Sequence, residues 1–183
     1  DSLFSEMRAR IKEDDATVPQ RDGDWVYWNE FEPGGEYAKH YRRAAEGGDA
    51  QLILDEPALA AGLEYFSINS ISVSENGRYL AWSVDTNGSE RFTVQIKDLQ
   101  TGELLTDVIE DTNTELVWAA GDTMLVYGRA NENWRVDSIR VHRIGSDAAS
   151  DTEIFHEDVP GFTADIGMSA NREWLILSTS DNE

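Results

Sequence analysis

Nothing in the 183 residues assembles the reacting groups of a hydrolase or a metal centre. Acyl transfer by serine needs a nucleophile activated by a histidine that a carboxylate orients, and α/β-hydrolases present that serine in a Gly-x-Ser-x-Gly elbow. No such elbow occurs, and no serine has histidine and aspartate partners in a matching chain order. Cysteine is absent, which removes thiolate nucleophiles, thiolate metal sites and disulfides together. The three histidines, His40, His142 and His156, stand far apart, none at metal-ligand spacing from another. Asp85-Thr86-Asn87-Gly88 begins like a calcium loop, yet the twelfth position, where a bidentate carboxylate belongs, is Ile96. That segment, like Asp22-Gly23-Asp24, reads as an Asp-rich turn. No catalytic residue, cofactor site or metal site is expected in this chain.

The elements that would position any other chemistry are mostly strands. One helix is expected, over 2–14, where Leu3, Met7 and Ile11 recur at four-residue intervals and would bury one stripe. Val18-Pro19 ends it, since proline restricts the preceding residue to extended conformations. Beyond it the period changes to two. Trp25-Val26-Tyr27-Trp28 is dense in strand formers, Pro33-Gly34-Gly35 turns it back into Tyr37 to Arg43, and Gln51-Leu52-Ile53-Leu54 follows. Pro57 and Gly62 bracket a helical turn at Ala58 to Ala61. Asn76-Gly77 and Asn87-Gly88 read as tight reversals, because Asn-Gly most readily supplies two residues at positive φ. With Thr101-Gly102 they divide Ile68 to Ile109 into a four-stranded antiparallel meander.

The same order of turn, aromatic strand, polar loop and strand recurs after Asp111 and again after Val159. Aligning the turns places Trp25, Tyr79, Met124 and Trp174 in register. Intervals near 50 residues match one four-stranded blade of a β-propeller, whose sheet cannot cover its own faces and stacks on the next. The expected fold is all-β, a partial propeller of about three and a half blades, with a helix and linker over 1–17 and blades near 18–65, 66–111, 112–158 and 159–183. A β-sandwich or barrel of similar strand spacing is the alternative. Trp25, Trp82 and Trp174 lie within strand repeats and are expected to pack between blades. The last blade stops after two strands, so the chain reads as a fragment, and its open edge is expected to drive self-association.

The loops joining second and third strands, Val84 to Arg91 and Arg129 to Arg135, should emerge on one propeller face. Asp85, Glu90, Arg91, Arg129 and Arg135 are the charged residues there that are candidates for contact with a facing domain. Thirty-six acidic against 15 basic residues leave a net charge of -21, which disfavours nucleic acid and anionic membranes as partners. That charge either attracts cationic peptides or forms a solvated surface suited to high salt. Only Lys12, Lys39 and Lys97 are lysines, a depletion that favours the second reading. No apolar run approaches the roughly 18 residues of a membrane helix. The chain opens on Asp1 rather than methionine, so the lack of a leader bears little on compartment; a cytoplasmic location is the working expectation.

Leu3-Phe4-Ser5-Glu6-Met7-Arg8-Ala9-Arg10-Ile11-Lys12, Val18-Pro19, Arg21-Asp22-Gly23-Asp24-Trp25-Val26-Tyr27 and Tyr37 to Arg43 together carry a resemblance. It continues through Leu80-Ala81-Trp82-Ser83-Val84-Asp85, Lys97-Asp98-Leu99-Gln100-Thr101-Gly102-Glu103, Val117-Trp118-Ala119-Ala120 and His142-Arg143-Ile144-Gly145. In that order they resemble the start of the propeller in the oligopeptidase B branch of the prolyl oligopeptidase family of serine peptidases. The resemblance implies a seven-bladed propeller capping an α/β-hydrolase domain, with short peptides cut after Lys or Arg. It also implies that the serine, histidine and aspartate lie in that C-terminal domain, the first partner of this chain, with small basic peptides as substrate. A non-enzymatic propeller serving as a binding scaffold is the alternative.

The charge balance makes one expectation testable at once. Salt screens repulsion between surface carboxylates, so the melting temperature of the purified chain should rise from low to moderate sodium chloride. A fall over that interval would show that attractive pairs, not repulsion, dominate its surface.

Overall fold

The computed structural model describes Leu3, Glu6, Met7 and residues 16–181. Leu3, Glu6 and Met7 are helical; the rest of the helix expected over 2–14 lies outside the described residues. Leu3 and Met7 do not form the buried stripe expected of them, being 68% and 61% exposed. The chain packs as two compact units, 1–62 and 63–183.

In the first unit β1 (Gln20–Asp22), β2 (Trp25–Phe31), β3 (Ala38–Ala44) and β4 (Gln51–Asp55) form one antiparallel sheet in chain order. β1 has no apolar residue and escaped the strand pattern; it is held by pairing Arg21 with Val26 across the Asp22-Gly23 turn. Trp28 stacks on Tyr41 at 5.6 Å, and the Arg42 guanidinium lies 3.8 Å over the Trp25 ring. A short helix, α1 (Glu56–Ala60), follows directly. Asp55 caps it by accepting the Ala58 N–H, and Pro57 occupies its first turn, where no N–H is missed.

The second unit holds three stacked sheets. β5 (Ser67–Val73), β6 (Tyr79–Asp85), β7 (Phe92–Asp98) and β8 (Leu104–Thr112) form the first. β9 (Val117–Ala119), β10 (Met124–Ala130), β11 (Val136–Arg143) and β12 (Thr152–His156) form the second. β13 (Thr163–Met168) and β14 (Leu175–Ser180) form the third, a hairpin. A single pair, Arg129 with Thr112, links the first two. In β7 the alternation is strict: Phe92, Val94 and Ile96 are buried while Thr93, Gln95 and Lys97 are half-exposed. In β6 every residue after Tyr79 is buried, because this strand is covered on both faces. One core joins Val94, Ile96 and Ile109 of the first sheet to Trp118, Leu125 and Tyr127 of the second. Another joins Val126, Val136 and Ile139 of the second to Ala164 and Ile166 of the third. Antiparallel sheets stacked face to face in chain order are the architecture of a partial β-propeller.

Polar ties cross the same stack. Asp122, in the β9–β10 turn, accepts N–H groups of Glu75 and Asn76 in the β5–β6 turn at 3.0 and 2.8 Å. His142 on β11 is fully buried, its Nδ1 2.8 Å from Asp151 and its Nε2 2.8 Å from Asp107 on β8. Tyr127 donates its O–H to Asp151, and burial, with that carboxylate beside it, pushes the phenol's pKa up.

Two sequence expectations need correction. The Asn-Gly reversals occur where expected but are not two-residue turns: they span 74–78 and 86–91, and of each Asn-Gly pair only the glycine takes positive φ (71° at Gly77 and 77° at Gly88). The asparagines are used otherwise, Asn76 Oδ1 accepting from Arg78 N and Asn87 Oδ1 from Ser89 N, which holds them in ordinary backbone geometry. Trp82 is buried, 1% exposed, but Trp174, expected to pack between blades, is 69% exposed, on a hairpin whose outer side no described residue covers.

Gly128 gives a direct test of the packing. A Cβ there would lie 2.2 Å from Thr114 Cγ2 and 2.6 Å from Val136 Cγ1, so Gly128→Ala should cost about 1–3 kcal/mol in urea unfolding. Gly167→Ala, with nothing within 4 Å, should be close to neutral.

Acid should act through the strand-end aspartates. Burial raises the Asp85 pKa, but N–H groups of Asn87, Glu90, Gly88 and Ser89 outweigh it and hold the carboxyl below its usual range. A carboxyl so lowered adds stability that is present above its unfolded pKa of about 3.9 and lost as pH falls through the folded value. The stability gap between the natural chain and Asp85→Asn should be constant near neutrality and shrink below about pH 4. A gap that stays constant to pH 2 would show that geometry, not charge, matters at this turn.

Candidate functional site

The loops 86–91 and 131–135 do meet at one end of the second unit. Their meeting point is Trp134, whose indole N–H donates to the Ser89 carbonyl at 2.8 Å while the Arg91 guanidinium lies 5.4 Å from its ring. Trp134 and Glu90 are both left-handed, at φ 58°. For a bulky aromatic that conformation is costly and persists only when surrounding bonds impose it. Here Asn131 imposes it: its Oδ1 accepts from Asn133 N and Arg135 N, and its carbonyl accepts from Trp134 N.

The five charged residues expected here divide into two kinds. Asp85 is buried, its carboxylate filled by N–H groups of Asn87, Gly88 and Glu90 at 2.7–3.0 Å, so it shapes the loop and presents nothing outward. Arg91 is likewise spent inward, donating to Asp111 Oδ1 at 3.0 Å and to the Asn131 carbonyl at 2.7 Å. Arg135 is half-buried, with one guanidinium nitrogen, Nη1, enclosed without a hydrogen-bond partner. Glu90 is exposed. Arg129 is about half-exposed, and its nearest carboxylate, Asp111, is 3.7 Å away, beyond hydrogen-bond reach.

Beside them opens a depression of about 440 Å³ whose walls include Arg91, Arg129, Asp137, Arg140 and Glu153. Ser138 lies in it, but its hydroxyl donates to Glu153 and accepts from Arg140 Nε. The Ser138 hydrogen bond lowers the Glu153 pKa first; burial opposes and Arg140 assists. His156 also lines the depression but stands 3.8 Å from Glu153 and makes no hydrogen bond to Ser138, so no serine–histidine pair is assembled there among the described residues. Among the described residues no group of three or more His, Asp or Glu has the geometry to hold a metal. What the end of the sheet can do is dock: an exposed indole face and the outward guanidinium of Arg129 are contact groups. Trp134 was missed by charge-based reasoning, though it is the single large aromatic in the polar loop 129–135.

Comparison with known proteins places the chain in a family. The family model described as "Prolyl oligopeptidase, N-terminal beta-propeller domain" matches residues 1–183. Dipeptidyl aminopeptidase BI of Pseudoxanthomonas mexicana is 34% identical over 97% of this chain and 27% of its own length. Protease 2 of Moraxella lacunata is 26% identical over 98% of this chain and 27% of its own. Among solved structures, oligopeptidase B from Leishmania major superposes with a TM-score of 0.91 at 23% identity, over 98% of this chain and 26% of that one. The last is a likeness of fold. The chain thus spans about a quarter of the length of the relatives it matches. It belongs to the prolyl oligopeptidase family, as the N-terminal part of that family's β-propeller domain.

Proposed function

We propose that this chain is the first part of a cap that restricts access to a serine peptidase site carried further along the same polypeptide. The match of the family's propeller model to residues 1–183 carries the reading, and the lack of any Gly-x-Ser-x-Gly elbow is consistent with it. The end of the sheet bearing Trp134, Arg129 and Glu90 is the surface we assign to the facing α/β-hydrolase domain. Arg135 is the less accessible contact. Asp85 and Arg91 hold the loops that present it. Small basic peptides as substrates follow from the oligopeptidase B resemblance, and the net charge of -21 disfavours nucleic acid as a partner.

Two specificities are consistent with this. Cleavage of short peptides after Lys or Arg follows from the oligopeptidase B resemblance, and removal of dipeptides from a free amino end follows from the relative named dipeptidyl aminopeptidase, 34% identical here. They are separated by one assay on the polypeptide carried along its own reading frame beyond Glu183. A reporter with a blocked amino end and a C-terminal arginine tests the first, and an unblocked dipeptide reporter the second. Hydrolysis of at least one, abolished by a serine-reactive inhibitor, is the expected result, and residues 1–183 alone should hydrolyse neither. A folded longer polypeptide inert toward both would favour a binding scaffold.

A further inference from the structure

The exposed hairpin β13–β14 repeats a piece of the first stacked sheet, and that repeat indicates what covers it. The β5–β6 turn reads Ser74-Glu75-Asn76-Gly77-Arg78-Tyr79 and the β13–β14 turn Ser169-Ala170-Asn171-Arg172-Glu173-Trp174. Their hydrogen bonds coincide. Ser74 Oγ lies against Asn76 Oδ1 and accepts from Tyr79 N; Ser169 Oγ lies against Asn171 Oδ1 and accepts from Trp174 N. Asn76 Oδ1 accepts from Arg78 N, and Asn171 Oδ1 from Glu173 N. Ser74 N donates to Tyr79 O, and Ser169 N to Trp174 O.

Such a turn leaves the second and third N–H groups pointing outward. At the β5–β6 turn the β9–β10 hairpin supplies the acceptor, the Asp122 carboxylate taking both Glu75 and Asn76. The same hairpin lays Trp118 on the Tyr79 ring, centroids 5.8 Å apart and planes 19° apart, and its indole donates to the Ser72 carbonyl. Trp118 and Asp122 are four residues apart. The intervening turn, 120–123, has neither the serine nor the asparagine, and no carboxylate among the described residues caps it. At the β13–β14 turn Ala170 N and Asn171 N have no acceptor among the described residues, and both residues are exposed. Trp174, in the place of Tyr79, is 69% exposed, and Gly167, in the place of Ser72, has open space above it. Next to them Ile176 is also exposed.

We infer that this face is the seat of a further β-hairpin of the same polypeptide, one that places an aromatic residue on Trp174 and, four residues later, a turn carboxylate on the N–H groups of Ala170 and Asn171. The inference rests on the proposed continuation of the chain but not on any peptidase activity. A second copy of this chain is the competing occupant. Its Trp118 and Asp122 are already engaged, so it cannot bring that pair.

The test uses the polypeptide extended along its reading frame through its next four strands, because β7 and β8 intervene between the β5–β6 turn and the β9–β10 hairpin that caps it. Its sequence should contain an aromatic residue four positions before an Asp or Glu, between two apolar runs. Amide exchange at Ala170 and Asn171 should slow relative to residues 1–183, and the indole fluorescence lost in Trp174→Phe should no longer be quenched by acrylamide. Changing the new carboxylate to its amide should restore exchange at those two amides while leaving the β-sheet circular dichroism intact. Asp122→Asn in the shorter chain should speed exchange at Glu75 and Asn76, and no change there would remove the basis of the inference whether or not the extension folds. An extension without the pair, unprotected amides in a folded extension, or protection of Trp174 in the shorter chain that grows with its concentration would each overturn it. Peptidase assays bear only on the cap reading, so the two can fail separately.

Discussion

A four-stranded antiparallel sheet with apolar residues on both faces cannot stand alone in water, and the rest of this molecule depends on that constraint. β6 shows it most sharply: Leu80 to Asp85 are all buried, so nothing in the strand is left to face solvent. Burial of that kind comes only from packing on both faces, at about 25 cal/mol for each Å² of apolar surface removed from water. Ala81 of β6 enters the core shared with the second sheet, and a further core joins the second sheet to the third.

Stacking brings polar groups inside with the apolar ones, and each must find a partner. Aspartates do this work repeatedly. Asp85 and Asp98 fold the ends of their own strands over by accepting loop N–H groups. Asp122 does the same for a turn in the neighbouring sheet. His142 has a carboxylate at each ring nitrogen, one on β8 and one beyond β11, so the outer strand of the first sheet is tied to the second by a buried polar contact as well as by packing. Removing one member of such a group leaves the others buried without partners, which is why these contacts define one arrangement of the sheets more than they add stability.

The strands were legible in the sequence because their signals are local. Alternation in Phe92 to Ile96, the glycines at 77, 88 and 102, and the Pro57…Gly62 bracket each operate within a few residues. The contacts between sheets were not, because Asp122 lies 46 and 47 residues from the groups it caps and looks like any turn aspartate. At the docking end charge identified the two loops, but charge alone could not separate Asp85, consumed by its own loop, from Arg129, which faces outward. Trp134 carried no charge and was overlooked, although it is the residue that joins the loops.

Within every sheet the hydrogen-bonded neighbours are consecutive in the chain, and only the Thr112–Arg129 pair departs from this. Such a chain closes short loops one after another and seldom waits for a distant partner. Each hairpin can therefore form as soon as its second strand has left the ribosome, and each finished sheet offers a template to the one that follows. Assembly runs with the direction of synthesis, so a pause in translation at any turn would hold a folded intermediate with one apolar face exposed, the state in which a chaperone would find it.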